Sequence, residues 1–297
     1  MCTLEVIATG PLATIQDRGR PGLAALGVGQ SGAADRPSHH LANRLVGNHE
    51  DAAVIEVTFG GLELRAVGGL FVALTGAPCP MTVQLPDEQP RTFAAYSAFW
   101  LPDGAALSLG VPSSGLRSYL AVRGGIAVPE VLHSRATDVM AGIGPDVLAE
   151  GVRLPVGDPV GDLPETDLAP VCPPTADDIE LRVVDGPRAD WFTAEALDAL
   201  VGDTYVVTPD SNRVGMRLSG PELTRSRAGE LSSEGMVPGA LQVPPTGQPT
   251  LFLADHPVTG GYPVVAVVLA ADLPKAAQAR PGQRIRFVRT PLSGWAS

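Results

Sequence analysis

The chain has 297 residues, 44% of them hydrophobic and 18% charged, with a formal net charge of −11. That length can bury a sizeable core and corresponds to about two domains. The composition excludes a disordered chain, and an acidic balance without a basic stripe excludes nucleic-acid binding.

The 34 glycines, 29 prolines and 5% aromatics signal many turns and short elements, which favours β structure over a helical bundle. Leu4-Glu5-Val6-Ile7 reads as an opening strand ahead of Gly10-Pro11. Arg36–Val46 sets Leu41 and Leu45 on one face and ends near Gly47-Asn48, which predicts a helix. Phe71–Thr75 and Tyr119–Val122 are short apolar runs bounded by Gly or Pro, and predict strands. Asp158–Asp178, rich in Pro, Asp and Thr, is the natural linker. Trp191–Leu200 places Phe192, Ala196 and Leu200 four apart, a second helix with Thr193 as N-cap. Tyr205–Thr208, Thr250–Ala254 and Val264–Leu269 read as further strands.

The chain resembles itself at domain-sized spacing. Gly10-Pro11 and Gly186-Pro187 lie 176 apart, Arg36 and Arg213 lie 177 apart, and Pro78 and Pro257 lie 179 apart. Pro102-Asp103-Gly104 and Pro281-Gly282 each precede a strand-like run. Four matches in order predict a duplication rather than a solenoid. The expected organisation is a first domain over 1–165, with an elaboration at about 113–161 that has no second-half counterpart, and a second over 178–297. Mostly antiparallel barrels with a short helix in each half are the simplest architecture.

Several chemistries are missing from the sequence. Lys275 is the single lysine, in Asp272-Leu273-Pro274-Lys275-Ala276, so there is no Gly-Lys-Ser/Thr phosphate loop and no biotin-carrier site. Cys2, Cys79 and Cys172 are odd in number and far apart, and no leader precedes Cys2; a reduced, cytoplasmic protein is expected. No apolar run reaches the roughly 18 residues of a membrane span. Of the five histidines only His39 and His40 are close, and adjacent helical positions point apart, so no metal site is expected.

Polar residues concentrate in glycine-rich turns. The densest stretch is Glu234 to Pro245, followed by Asp255 to Pro263, with Gln242, Thr259, Gly260, Gly261 and Tyr262. Glycine pairs allow a ligand to approach backbone N–H groups, although Gly260-Gly261 is equally an ordinary hairpin turn. In the first half the analogous clusters are Gln16–Gly22 with Asp17, Ser31–Arg36 with Asp35, and Glu56–Gly61. Asp17 with Arg18 or Arg20 is equally a loop salt bridge.

Thr14–Gly22, Ser31–Arg36, Leu41–Asn48, Ile55–Gly61, Tyr119–Ile126, Ser134–Thr137, Ser211–Gly215, the run from Ser233 to Pro263, Ala271–Pro274 and Arg280–Gly282 together resemble the allophanate-hydrolase-subunit-2-like family. That family includes the C-type subunit of 5-oxoprolinase, the antagonist of the Kip kinase inhibitor, and the carboxyltransferase region of urea carboxylase. The resemblance covers nearly the whole chain and implies a mainly β protein of two tandem cyclophilin-like β-barrel domains. One departure stands out: where other members often have Arg-Gln-Thr, this chain has His256-Pro257-Val258 after Asp255.

The resemblance implies one subunit of an ATP-dependent 5-oxoprolinase, opening 5-oxo-L-proline to L-glutamate with A-type and B-type (Kip inhibitor-like) partners and inactive alone. ATP is the implied cofactor, held with or by a partner; covalent biotin is not. The alternatives are a regulatory protein antagonising a Kip-type kinase inhibitor, and a biotin-dependent carboxyltransferase acting on urea or a related amide. In the 5-oxoprolinase case a cation must hold the substrate carboxylate, an acceptor the lactam N–H, and donors the developing charge. The expected assignments are Arg213 for the carboxylate, Glu234 for the N–H, and Gln242 and Tyr262 as donors, with the Gly260 and Gly261 backbone near the activated carbonyl. Asn212, Thr259, Asp17, Asp35 and Glu56 complete the expected substrate-binding set.

Overall fold

A computed structural model describes residues 2–291 apart from Asp167, Ala228 and Glu230. Residues 292–297, the end of the expected second domain, lie outside the described residues. The chain divides into two compact units, Met1–Pro21 with Ser31–Pro174, and Gly22–Gln30 with Thr175–Ser297. The division after Pro174 falls within the Pro-rich stretch Asp158–Asp178.

The first unit holds two antiparallel sheets. One runs Arg153–Pro155, Thr3–Thr9, Leu62–Val67, Ala106–Leu109, Met81–Gln84, Arg91–Phe93. The other runs Leu12–Gln16, Val54–Thr58, Arg117–Val122, Leu70–Gly76, Ala98–Leu101. The sequence dictates which face is inside. Leu62–Val67 buries Leu62, Leu64 and Ala66 and exposes the residues between them, the period-two signature of a half-buried strand. Both sheets feed one core, where Val6, Leu64 and Leu107 meet Ile15, Leu74 and Leu120.

Arg117–Val122 is buried at all six positions, because its sheet is covered on the other face as well. The cover is helix α1, Arg36–Leu45, whose Ala42 and Leu45 join Ala73, Tyr119 and Ala121 in a second cluster. The helix starts where Asp35 accepts the Ser38 N–H and Pro37 fills the first turn. Arg117–Val122 falls in the stretch expected as an elaboration, yet it pairs with both Val54–Thr58 and Leu70–Gly76 and is central to its sheet.

The second unit closes seven strands into a barrel in the order Ile179–Asp185, Val264–Val268, Ala240–Gln242, Thr250–Phe252, Gly215–Ser219, Thr204–Val207, Arg284–Arg289. Closure is made by the parallel pairing of Ile179–Val183 with Ile285–Arg289, which removes the open edges. Leu181, Tyr205, Leu241, Leu251 and Phe287 fill its interior. Helix α2, Ala194–Gly202, begins with Thr193 accepting the Ala196 N–H, as the sequence predicts. A third helix, α3 (Leu273–Ala277), is only five residues long, too short for its periodicity to show in the sequence.

The protein is thus mainly β, with a closed barrel, further sheets and short helices. Two of the segment matches behind the expected repeat lie in different local settings. Ser31–Arg36 leads into α1, whereas its supposed counterpart ending at Arg213 leads into the strand Gly215–Ser219. Thr3–Thr9 pairs with Leu62–Val67 and Arg153–Pro155, while Ile179–Asp185 pairs with Val264–Val268 and Arg284–Arg289. Gly-Pro turns and apolar runs recur in any β protein, so their spacing alone does not fix the local setting.

Candidate functional site

Carboxylates of the first unit's glycine-rich turns are bound to their own scaffold. Asp17 Oδ1 accepts from the Gly19 N–H at 2.8 Å and the Ser134 hydroxyl at 2.6 Å, and Oδ2 accepts from the Arg135 N–H at 2.6 Å. Asp35 caps α1, accepting from the Ser38 N–H at 3.1 Å and its hydroxyl at 2.7 Å. Glu56 accepts from the Ala34 N–H at 3.0 Å and lies 3.6 Å from Arg117 Nε, both side chains being almost fully buried. Gly32 makes the turn possible: at φ +89, a Cβ would fall 2.7 Å from the Gly19 nitrogen. Asp17, Asp35 and Glu56 are therefore placed to fold the loops.

The same region buries groups that no sequence motif marks. His39 is 0% exposed. Its Nε2 lies 3.0 Å from the Ala52 carbonyl, which can only accept, so this nitrogen carries the proton. Burial, with His40 nearby, pushes its pKa down to about 4. The Tyr119 hydroxyl accepts from the Asp35 N–H at 2.7 Å, and burial, reinforced by the charges of Glu56 and Asp35, holds it well above the usual phenol range.

In the second unit the expected residues separate into two groups. Asn212 Oδ1 accepts from the Val214 and Gly215 N–H groups at 2.8 and 3.3 Å, which caps a turn. Arg213, expected as an exposed anchor, is 1% exposed. Its Nε and Nη2 donate to Asp255 at 2.9 and 2.8 Å, so the fork meant for a substrate carboxylate holds a buried one of the protein. That reassigns Arg213 to the framework.

The other group comes together. Glu234-Gly235 pairs antiparallel with Thr259-Gly260, Glu234 opposite Gly260 and Gly235 opposite Thr259. Glu234 accepts from Arg188 Nε at 2.9 and 3.1 Å on its two oxygens, and Arg188 Nη2 also bonds Oε1. That hydrogen bonding lowers the carboxyl's pKa, so Glu234 is ionised. The pair is only half-buried, unlike Arg213–Asp255. Gln242 donates from Nε2 to the Tyr262 carbonyl at 3.1 Å. A Cβ on Gly260 would sit 2.5 Å from that same Nε2, which is why a glycine stands there. Tyr262 is 46% exposed, and the Arg225 guanidinium carbon lies 5.9 Å from its ring centroid.

Glu234, Gln242, Thr259, Gly260, Gly261 and Tyr262 thus form one partly open patch. Arg188 and Arg225 belong to it and went unnoticed in the sequence. Arg188 follows Gly186-Pro187, and the turn was the available signal; Arg225 sits among ordinary polar residues and gave none. The patch offers an ionised acceptor, guanidinium donors and closely approachable backbone. Among the described residues no group of three His, Cys, Asp or Glu side chains is placed to hold a metal ion, and no helix is long and apolar enough to cross a membrane.

The family described as carboxyltransferase domain, subdomain A and B, matches residues 26–289, and the chain belongs to it. It is 38% identical to the 5-oxoprolinase C subunit of Escherichia coli over 294 residues, covering 97% of this chain and 92% of that one. It is 35% identical to urea amidolyase of Lachancea kluyveri, covering 98% of this chain but 17% of that protein. Among solved structures, TTHA0988 superposes with a TM-score of 0.85 at 34% identity, and the match covers 97% of this chain and 55% of that chain. The urea carboxylase of Kluyveromyces lactis gives 0.88 at 31% identity, with coverage of 98% and 27%. This chain therefore spans about half of the first structure and about a quarter of the second.

Proposed function

We propose that the chain is the C-type member of an ATP-dependent 5-oxoprolinase, converting 5-oxo-L-proline to L-glutamate together with A-type and B-type subunits. The observation that carries this is the end-to-end match to the 5-oxoprolinase C subunit, 97% of one chain against 92% of the other, where urea amidolyase matches over 17% of its length. The patch around Glu234 fits the chemistry. A lactam resists hydrolysis, so its carbonyl must be activated, and phosphorylation from ATP held with a partner subunit would do this. Ionised Glu234 accepts the lactam N–H, and Tyr262, with a half-exposed ring, donates to the polar atoms of the substrate. Gln242, whose Nε2 is engaged by the Tyr262 carbonyl, fixes the turn that presents Gly260-Gly261.

Covalent biotin has no seat in this reading. Lys275, the single lysine, lies in α3 with Nζ 3.0 Å from Asp272 Oδ1. The test is co-expression with A-type and B-type 5-oxoprolinase subunits. The expected result is a co-purifying complex that releases ADP only when 5-oxoproline is added. A complex that instead carboxylates urea or another amide with a biotin carrier supplied in trans would replace this reading with the carboxyltransferase one.

A further inference from the structure

The arginine expected to hold the substrate's carboxylate is buried on Asp255, which leaves that role unfilled. The other arginines around the glycine-rich patch can be compared by what neutralises them. Arg188 is bound to Glu234 and Arg227 to Asp190. Arg225 differs: among the described residues no carboxylate lies within ion-pairing distance of it, and its Nε is buried without a hydrogen-bond partner. A buried, unsatisfied guanidinium N–H costs stability, so its retention calls for a reason.

The guanidinium is nonetheless held in place. Its Nη2 donates to the Val243 carbonyl at 2.5 Å, its carbon lies 5.9 Å from the Tyr262 ring centroid, and its backbone is bridged to Phe192. Contacts run from it to the carboxylate that accepts the lactam N–H: Tyr262 to Gln242, Gln242 to Gly260, Gly260 to Glu234. A fixed, uncompensated cation in a chain of net charge −11 is a preorganised receptor for one anionic group. In 5-oxoproline the carboxylate is carried on the carbon next to the lactam nitrogen, so its cation belongs in the same patch as the N–H acceptor.

We infer that Arg225 receives the carboxylate of the substrate and so selects α-carboxylated lactams over plain ones; this rests on the 5-oxoprolinase reading above. The test uses the assembled three-subunit complex with the wild-type, R225Q or R225K chain. Three quantities are measured: KM for 5-oxoproline, KM for ATP, and inhibition by 2-pyrrolidinone, the same lactam without its carboxylate. R225Q is expected to raise KM for 5-oxoproline roughly 10- to 100-fold, as loss of a charge-assisted hydrogen bond implies, while the other two stay within about twofold. R225K falls between. If KM for ATP rises instead, the bound anion is a phosphate and the inference is overturned; if all three shift together, Arg225 is only a loop staple and it is overturned too. Should R225Q fail to assemble, equilibrium binding to the R225K complex decides: weakened 5-oxoproline binding with unchanged 2-pyrrolidinone binding supports the inference, and unchanged binding of both contradicts it. A wild-type complex without 5-oxoproline-dependent ADP release removes the underlying reading as well, whereas an active wild type matched by R225Q removes the inference alone.

Discussion

The two units use the same residue types in glycine-rich turns to opposite ends. In the first, Asp17, Asp35 and Glu56 each accept from nearby backbone N–H groups and are almost fully buried. In the second, Glu234 is half-buried, paired with a similarly half-buried arginine, and placed beside an exposed tyrosine. A further contrast lies within the second unit, where Arg213–Asp255 and Arg188–Glu234 are both fork-to-carboxylate pairs but only the second is open to solvent. Residue type and turn context do not separate a framework carboxylate from a presented one. Burial and the number of internal donors do.

The largest expected effect breaks the buried pair. Asp255→Ala removes the buried carboxylate that Arg213 Nε and Nη2 bind and should destabilise the chain by about 3–5 kcal/mol, read as a fall in the urea midpoint of the isolated chain. A surviving midpoint would show that the Arg213–Asp255 pair does not hold the fold and would reopen the role of Arg213 as an anchor.

Next comes an acid-sensitive contribution from the first unit. His39 has a pKa of about 4 when folded, against about 6.5 in the unfolded chain. Between those values the unfolded state binds more protons, so stability is fully present above about pH 6.5 and is lost as pH falls towards 4. The size is on the order of 3 kcal/mol. Urea midpoints across that window should decline for the wild type and decline less for His39→Gln. Parallel curves would remove His39 as the cause.

Glu234→Gln should leave the urea midpoint close to wild type and lower kcat/KM of the assembled complex about 100-fold, because the amide no longer offers an ionised acceptor. Full activity would move the site away from the second unit's patch. The smallest effect is expected from Asn212→Ala, which removes the cap on the Val214 and Gly215 N–H groups and should cost about 1 kcal/mol with activity unchanged.

Much of this was legible in the sequence. Alternation and bounded apolar runs located strands such as Phe71–Thr75 and Val264–Leu269, and the Asp35 and Thr193 caps mark helix starts that follow from local rules. The ladder joining Glu234 to Gly260 gathers residues that the glycine-rich motifs had already marked. What was not legible depends on partners distant in the chain. Arg213 looks available in Asn212-Arg213 because Asp255 is 42 residues away. Arg225 looks ordinary because its significance is the lack of a counter-charge, which only the folded surroundings reveal. Strand register was not legible for the same reason: it is set by long-range pairing, and turn motifs at matching intervals do not record it.

The most direct test is subunit omission. Turnover of 5-oxoproline to glutamate, with equivalent ADP release, should occur when this chain is combined with the A-type and B-type subunits. It should be absent from this chain alone and from the other two without it. Undiminished turnover by the A-type and B-type subunits lacking this chain, or robust turnover by this chain by itself, would contradict its role as an essential part of a shared activity.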